Sequence, residues 1–237
     1  MTSLFYFYGI TQGPARGPKE APCVDGRGRL RTELVDGLSV WFSEVDSGTF
    51  GDHLSERLED LEWLAGAGVR HQETIAAIAA IASVVPARFG TVFQTLQSLR
   101  DHVSETTREA REKLDKVADA DEWGIKVFRR TTPTPKPPSA VSGTDYLLQK
   151  ASLRKQAGGQ LAADIEQFAR DLSNAAAASS AVGKVSDAQA RLEWQATFLV
   201  KRARKASWDA VLHRYAQQWQ ESREIVCTGP WPPYSFV

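Results

Sequence analysis

The sequence predicts a two-domain α+β protein, each domain a small sheet covered by helices on one face. Three observations carry this expectation. Strand-like and helix-like segments are interleaved along the chain rather than segregated into separate runs. A proline-rich stretch at 131–141, Thr-Thr-Pro-Thr-Pro-Lys-Pro-Pro-Ser-Ala-Val, splits the 237 residues into two pieces of ordinary domain size. Finally, Leu192, Trp194, Ala196, Phe198 and Val200 alternate with Arg191, Glu193, Gln195 and Thr197, the pattern of a half-buried strand. The expected ranges are 1–130 for the first domain, 131–141 for an extended linker and 142–237 for the second.

The elements of the first domain follow in order. Residues 4–10 are short, aromatic and bounded by Gly9 and Gly13-Pro14, which reads as a buried strand. Residues 11–28 carry several Gly and Pro and read as an irregular loop. Residues 29–35 add a short strand, and in 38–45 Leu38, Val40 and Phe42 share one strand face. Leu54, Leu58, Leu61 and Leu64 recur at helical spacing, after which Gly66 and Gly68 punctuate the chain. Ile75, Ile78 and Ala82 mark a second helix. Pro86 either ends it or sits in a short edge strand with Val84 and Val85. A third helix carries Leu96, Leu99, Val103, Ala110 and Leu114, with Thr91 and Thr95 as rival caps. Its opposite face pairs Arg108 with Glu112, Glu109 with Lys113 and Glu112 with Lys116, as solvated helix faces do. Trp123, Ile125 and Val127 alternate along a closing strand.

The second domain opens with Ser142 and Asp145 at capping-box spacing. A long amphipathic helix is expected through Leu153, Ala157, Leu161, Ile165, Phe168 and Leu172, weakened at Gly158-Gly159 and passing through an alanine run to end near Gly183. The alternating strand at 191–200 comes next. Trp208, Val211, Leu212, Tyr215 and Trp219 then stripe a last helix, and 224–228 form a short strand. The tail reads Gly229-Pro230-Trp231-Pro232-Pro233-Tyr234-Ser235-Phe236-Val237.

Composition limits the function classes. Hydrophobic residues make up 42% of the chain and charged residues 24%, a globular balance. With 29 basic and 29 acidic side chains the formal net charge is zero, so contact with nucleic acid or an anionic membrane needs a local patch. Two cysteines, Cys23 and Cys227, are too few for a disulfide scaffold and are expected as free thiols in a reducing cytosol. No apolar run is long enough to span a bilayer, and the N-terminus lacks the pattern of a secretion signal. A cytoplasmic location is expected.

The tail is the most unusual segment. Pro230, Pro232 and Pro233 remove three backbone donors and favour an extended path, while Trp231, Tyr234 and Phe236 add large apolar area. Such a surface needs cover. Either it folds back on its own protein as a clasp, or part of it offers a docking surface. In Arg88-Phe89-Gly90-Thr91, Gly90 permits a tight turn and Thr91 caps; an anion site at the adjoining helix start is the rival reading. Lys201, Arg202, Arg204 and Lys205 form the densest basic patch, read as a solvated helix start, with an RNA or acidic partner as the rival. The histidines His53, His71, His102 and His213 sit on separate elements without metal-ligand spacing. Gly13-Pro14-Ala15-Arg16-Gly17-Pro18-Lys19 has neither the spacing nor the donors of a phosphate loop. No nucleophile elbow or dinucleotide fingerprint is present. No catalytic residue, cofactor or metal is therefore expected.

Several segments together resemble the GvpF/GvpL family of gas vesicle proteins, in family order and across nearly the whole chain. These are Tyr6-Phe7-Tyr8-Gly9-Ile10, Arg88-Phe89-Gly90-Thr91-Val92-Phe93, Glu122-Trp123-Gly124-Ile125-Lys126-Val127, Gly143-Thr144-Asp145-Tyr146-Leu147-Leu148, and the ending from Gly229 to Val237. The fit is poorest in the loop 11–31 and in the proline-rich linker. The resemblance implies a ferredoxin-like N-terminal domain and a C-terminal α+β domain with long helices. It also implies an accessory protein of gas vesicle assembly, not an enzyme, whose partners are the hydrophobic shell protein GvpA and other gas vesicle proteins. On that reading Arg88, Phe89, Gly90, Tyr146, Trp231, Pro232, Pro233, Tyr234 and Phe236 are the candidate contact or structural residues, and a monomer is the expected state. An enzyme using one domain as its platform, or a nucleic-acid binder on an open ferredoxin-like sheet, are the alternatives.

Overall fold

The structure, a computed structural model, describes residues 3–18, 21–52, 54–130, 163–181 and 191–237. It is mixed α+β and divides into two compact units: Met1–Glu122 with Pro230–Val237, and Trp123–Gly229. Against the ranges drawn from sequence, the strand around Trp123 joins the second unit and the final eight residues join the first. The proline-rich linker and the helix start near Ser142 lie outside the described residues.

The first unit holds five strands: β1 (Ser3–Gln12), β2 (Arg31–Val35), β3 (Leu38–Asp46), β4 (Val84–Pro86) and β5 (Val92–Phe93). Their order is β2-β3-β1-β4, with β5 also on β1, and every pair is antiparallel. A ferredoxin-like domain runs β-α-β-β-α-β. The order β2-β3-β1-β4 with every pair antiparallel is the strand arrangement of that topology, and only the first helix is missing: the segment joining β1 to β2 has no helix among its described residues.

Helices cover both faces of this sheet, not one. Tyr6, Tyr8, Trp41 and Val45 pack against Ala67, Ile75 and Ile78 of α2 (Leu61–Ala79). Phe7, Ile10, Leu38, Val40 and Phe42 pack against Leu99, Val103, Ala110 and Leu114 of α3 (Leu96–Val117). The unbroken apolar run in β1 is the signature of a strand buried on both sides. A register shift between Phe7 and Gly9 explains why Ile10 shares a face with Phe7. Gly9 sits at φ +146, and a Cβ there would lie 2.4 Å from the Val85 carbonyl oxygen.

A short helix α1 (Leu54–Glu59) precedes α2. Gly66 and Gly68 do not interrupt α2; the break falls at Asp60, whose carboxylate accepts from the Glu62 and Trp63 N–H groups at 3.1 Å each. Each glycine costs about 1 kcal/mol against alanine in a helix, and burial of Ala67, His71, Thr74, Ile75 and Ile78 holds α2 in place regardless. The leucine stripe expected from sequence is not core throughout. Leu58 is 41% exposed and Leu61 78%. For α3, Thr95 is the cap, forming a capping box with Ser98.

The sheet of the second unit is built from β6 (Ala120–Arg129, the first three residues of which belong to the first unit), β7 (Ala178–Ala181), β8 (Leu192–Lys201) and β9 (Arg223–Trp231, the last two of which belong to the first unit), in the order β7-β8-β6-β9. Helices α4 (163–175) and α5 (Lys205–Gln218) supply Phe168, Leu172, Trp208 and Tyr215 to one core with Ile125, Val127, Ala196, Phe198 and Val200. The alanine run does not prolong α4: Ala177 N–H donates to the Leu199 carbonyl at 2.8 Å, and β7 begins at once. Along β8 the expected alternation shows in Ala196, Phe198 and Val200, with Leu199 buried too, while residues 192–195 are all half-buried.

Candidate partner-contact surface

The tail is a clasp on the first unit. Beyond β9 it ends in a single 3-10 turn, Tyr234–Phe236, with Pro232, Pro233 and Phe236 buried. Its anchors are mainly polar. Ser235 N–H donates to Glu122 Oε2 at 2.8 Å, and Ser235 Oγ donates to Oε1 at 2.7 Å. Lys116 Nζ donates to the Phe236 carbonyl at 2.7 Å, so Lys116 serves the tail. Glu122 is only 7% exposed, and its two carboxylate oxygens are matched by two tail donors.

Tyr234 reaches the centre of the unit. Its hydroxyl lies 3.2 Å from His71 Nε2, while the Tyr6 hydroxyl lies 3.0 Å from His71 Nδ1. A neutral imidazole has one donor and one acceptor, so one hydroxyl donates to the ring and the other accepts from it. His71 is 3% exposed. Burial pushes it down to about 4, opposed by a backbone hydrogen bond with Ala87. Burial raises Tyr6 and Tyr234 well above the usual tyrosine range. Tyr8 stacks on the ring, with centroids 6.0 Å apart, and Phe89 meets it edge-on at 5.5 Å.

The Arg88-Phe89-Gly90-Thr91 segment belongs to the same cluster. Gly90 adopts φ +80 and its N–H donates to the Tyr6 hydroxyl at 3.0 Å. Thr91 Oγ1 donates to the Arg88 carbonyl at 2.8 Å, closing a turn instead of capping a helix. Phe89 packs inward, and Arg88 is exposed. Of the residues singled out from sequence, Phe89, Gly90 and Tyr234 thus meet around Tyr6 and His71, with Pro232, Pro233 and Phe236 buried in the tail. Trp231 stays 48% exposed at the tail's root. Tyr146 lies outside the described residues.

Sequence reasoning missed three anchors: His71, Glu122 and Lys116. The available signal was a histidine in register with Ala67, Ile75 and Ile78 on one helix face; Glu122 falls in phase with Gly124 and Lys126, opposite Trp123, Ile125 and Val127, and carried no such mark.

The second unit carries its own polar core. Arg223, 2% exposed, donates through Nε to Glu193 Oε2 at 2.8 Å and lies 4.4 Å from the Trp219 ring centre. Arg129 meets the other Glu193 oxygen at 2.5 Å. In the basic patch, Lys205 Nζ sits 3.9 Å over the Trp123 ring and bonds both Asp209 oxygens. Cys23 is buried, Cys227 is exposed, and both are free thiols. Among the described residues no cluster of three or more His, Cys, Asp or Glu converges as a metal site, and no helix is long and apolar enough to cross a membrane. A nucleic-acid reading asks for an open sheet face with aromatics on it; the first unit's sheet is covered on both sides.

Comparison with known proteins agrees with these motifs. The family profile described as gas vesicle synthesis protein GvpL/GvpF matches residues 4–237. The chain is 28% identical over 252 residues to gas vesicle protein L of a Streptomyces strain, covering 99% of this chain and 92% of that protein. It is 24% identical to gas vesicle protein F2 of Halobacterium salinarum, with the same coverage. In fold it is similar to the crystal structure of GvpF from Anabaena sp. PCC7120, with a TM-score of 0.74 and 16% identity over 99% of this chain and 95% of that one. GvpF from Microcystis aeruginosa gives 0.72 and 17%, over 100% and 99%.

Proposed function

Because the chain belongs to the GvpL/GvpF family of gas vesicle synthesis proteins, we propose that it assists gas vesicle formation in the cytoplasm by holding the hydrophobic shell protein GvpA, alongside other gas vesicle proteins. It does so by surface contact, without bond-making chemistry of its own. Family membership supports the role in gas vesicle formation, and the tail supports the mode of contact.

The observation that carries the second point is Trp231. The residues after it are fixed by Glu122, Lys116 and His71, yet its indole stays 48% exposed. An aromatic side chain held at the root of an anchored segment meets a partner at low entropic cost. Burying the open half of one indole contributes on the order of 2 kcal/mol.

The test is co-expression with GvpA and capture through a tag on this chain. Capture is expected to survive high salt, as apolar contact does, and Trp231→Ala is expected to weaken it without lowering the melting temperature. If the wild-type chain captures no gas vesicle protein, the reading is wrong.

A further inference from the structure

The molecule carries a knob on one unit and an apolar groove on the other. The knob is the corner between α1 and α2, where residues 55–62 are exposed throughout. Leu58 and Leu61 project there among Glu56, Glu59, Asp60 and Glu62, with Arg57 the one basic side chain of the stretch. The Asp60 cap fixes the shape of the corner, since its carboxylate binds the first N–H groups of α2.

The groove lies between α5 and β9. It is shallow, about 570 Å³, and its apolar wall includes Ala206, Ala210, Leu212, Ala216 and Ile225, with Cys227 at its side. The exposed Arg202 and Arg204 stand immediately before α5, at the end where Ala206 begins the wall. Asp209 and His213 also line the groove, and the Asp209 carboxylate is bound by Lys205. A chain of zero net charge therefore carries an acidic, leucine-bearing corner and a basic-ended apolar groove on separate units.

We propose that the Leu58–Leu61 corner of one copy docks into the α5–β9 groove of a second copy, its carboxylates facing Arg202 and Arg204. Different surfaces meet in this contact, so it is heterologous, and copies add head to tail. Two leucines on one helical corner cover far less than the ~1,200 Å² of a stable interface. The contact is therefore weak, dilute protein is monomeric, and association appears where copies are concentrated. Exposed charges contribute modestly and are screened by salt. This self-association is independent of any contact with the shell protein.

Sedimentation equilibrium of the full chain over a range of concentrations tests it. Mass is expected to rise with concentration in low salt and to rise less steeply near 0.5 M salt. The pair Glu59→Lys and Glu62→Lys, and separately the pair Arg202→Glu and Arg204→Glu, are each expected to weaken association about tenfold. Mixing the two reversed proteins restores it, because the signs again match across the contact. Leu61→Ser weakens it at any salt. The Cys227 thiol becomes less reactive to maleimide as association proceeds. Unchanged melting temperatures show that the variants fold. A chain that stays monomeric at every concentration, association indifferent to both reversals, or a mixture that does not recover would each overturn the proposal.

Discussion

The Tyr234 hydroxyl lies 3.2 Å from His71 Nε2 across 163 residues of sequence, so the last turn of the chain closes a hydrogen-bonded cluster built around the first strand. The cluster runs from the Gly90 N–H through Tyr6 to His71 and on to Tyr234. The first unit is therefore complete only when the final residues are in place.

Deleting residues 230–237 is expected to destabilise the protein strongly. It removes the buried Phe236, Pro232 and Pro233, uncovers the surface they pack on, and takes from the Glu122 carboxylate its Ser235 donors. The lost charge-assisted hydrogen bonds and buried apolar area together cost about 3 kcal/mol or more. Calorimetry reads the result as a melting temperature lower by more than about 5 °C. A truncated chain as stable as the full one would show that the clasp contributes nothing.

Stability should fall in acid because of His71. The unfolded ring titrates near 6.5 and the folded one at about 4. Between these values the unfolded chain binds the proton and the folded chain does not. The stabilisation is complete above about pH 6.5 and is lost as pH falls toward 4, amounting to roughly 3 kcal/mol. Urea titrations at pH 7 and pH 4.5 measure it. His71→Gln keeps a donor and an acceptor but cannot titrate, and its dependence on pH in this window should be shallower.

Gly9→Ala should cost about 1–3 kcal/mol. The added Cβ would meet the Val85 carbonyl oxygen at 2.4 Å, in a backbone conformation that side chains rarely adopt. The effect should appear as a lower denaturant midpoint with an unchanged slope. Gly68→Ala is the control: its Cβ meets nothing within 4 Å, and in mid-helix it should stabilise by a few tenths to about 1 kcal/mol.

Glu193→Gln should destabilise the second unit by about 1–3 kcal/mol, because Arg223 is almost fully buried and loses its nearest carboxylate, keeping Asp164 at 3.9 Å. Replacing Arg223 and Glu193 together by Met and Leu should cost less than the single change. A double-mutant cycle in urea gives the coupling.

Periodicity marked β3, α3, β8 and α5, because in each the side chains that face the core recur at the period of the element itself, while β1 was legible as a short aromatic run bounded by turn residues. The tail's need for cover was also legible in three prolines and three aromatics without a charge. The family motifs pointed to gas vesicle proteins before any coordinate was known. Periodicity does not say which surface an apolar face meets. The strand of Trp123, Ile125 and Val127 reads the same in either sheet, and only strand pairing assigns it to the second. Helical spacing likewise made a stripe of Leu54, Leu58, Leu61 and Leu64, yet the start of α2 at Asp60 turns Leu58 and Leu61 outward.

The sequence alone determined most element types, though not the strand β7 in the alanine run, together with the α+β class and the family, since these follow from local spacing and from motifs contiguous in the chain. Only the tertiary structure decided that His71, Glu122 and Lys116 hold the tail and that the first sheet is covered on both faces. Those facts depend on groups brought together from distant parts of the chain, where burial and hydrogen-bond matching select the partner and no local pattern records the choice.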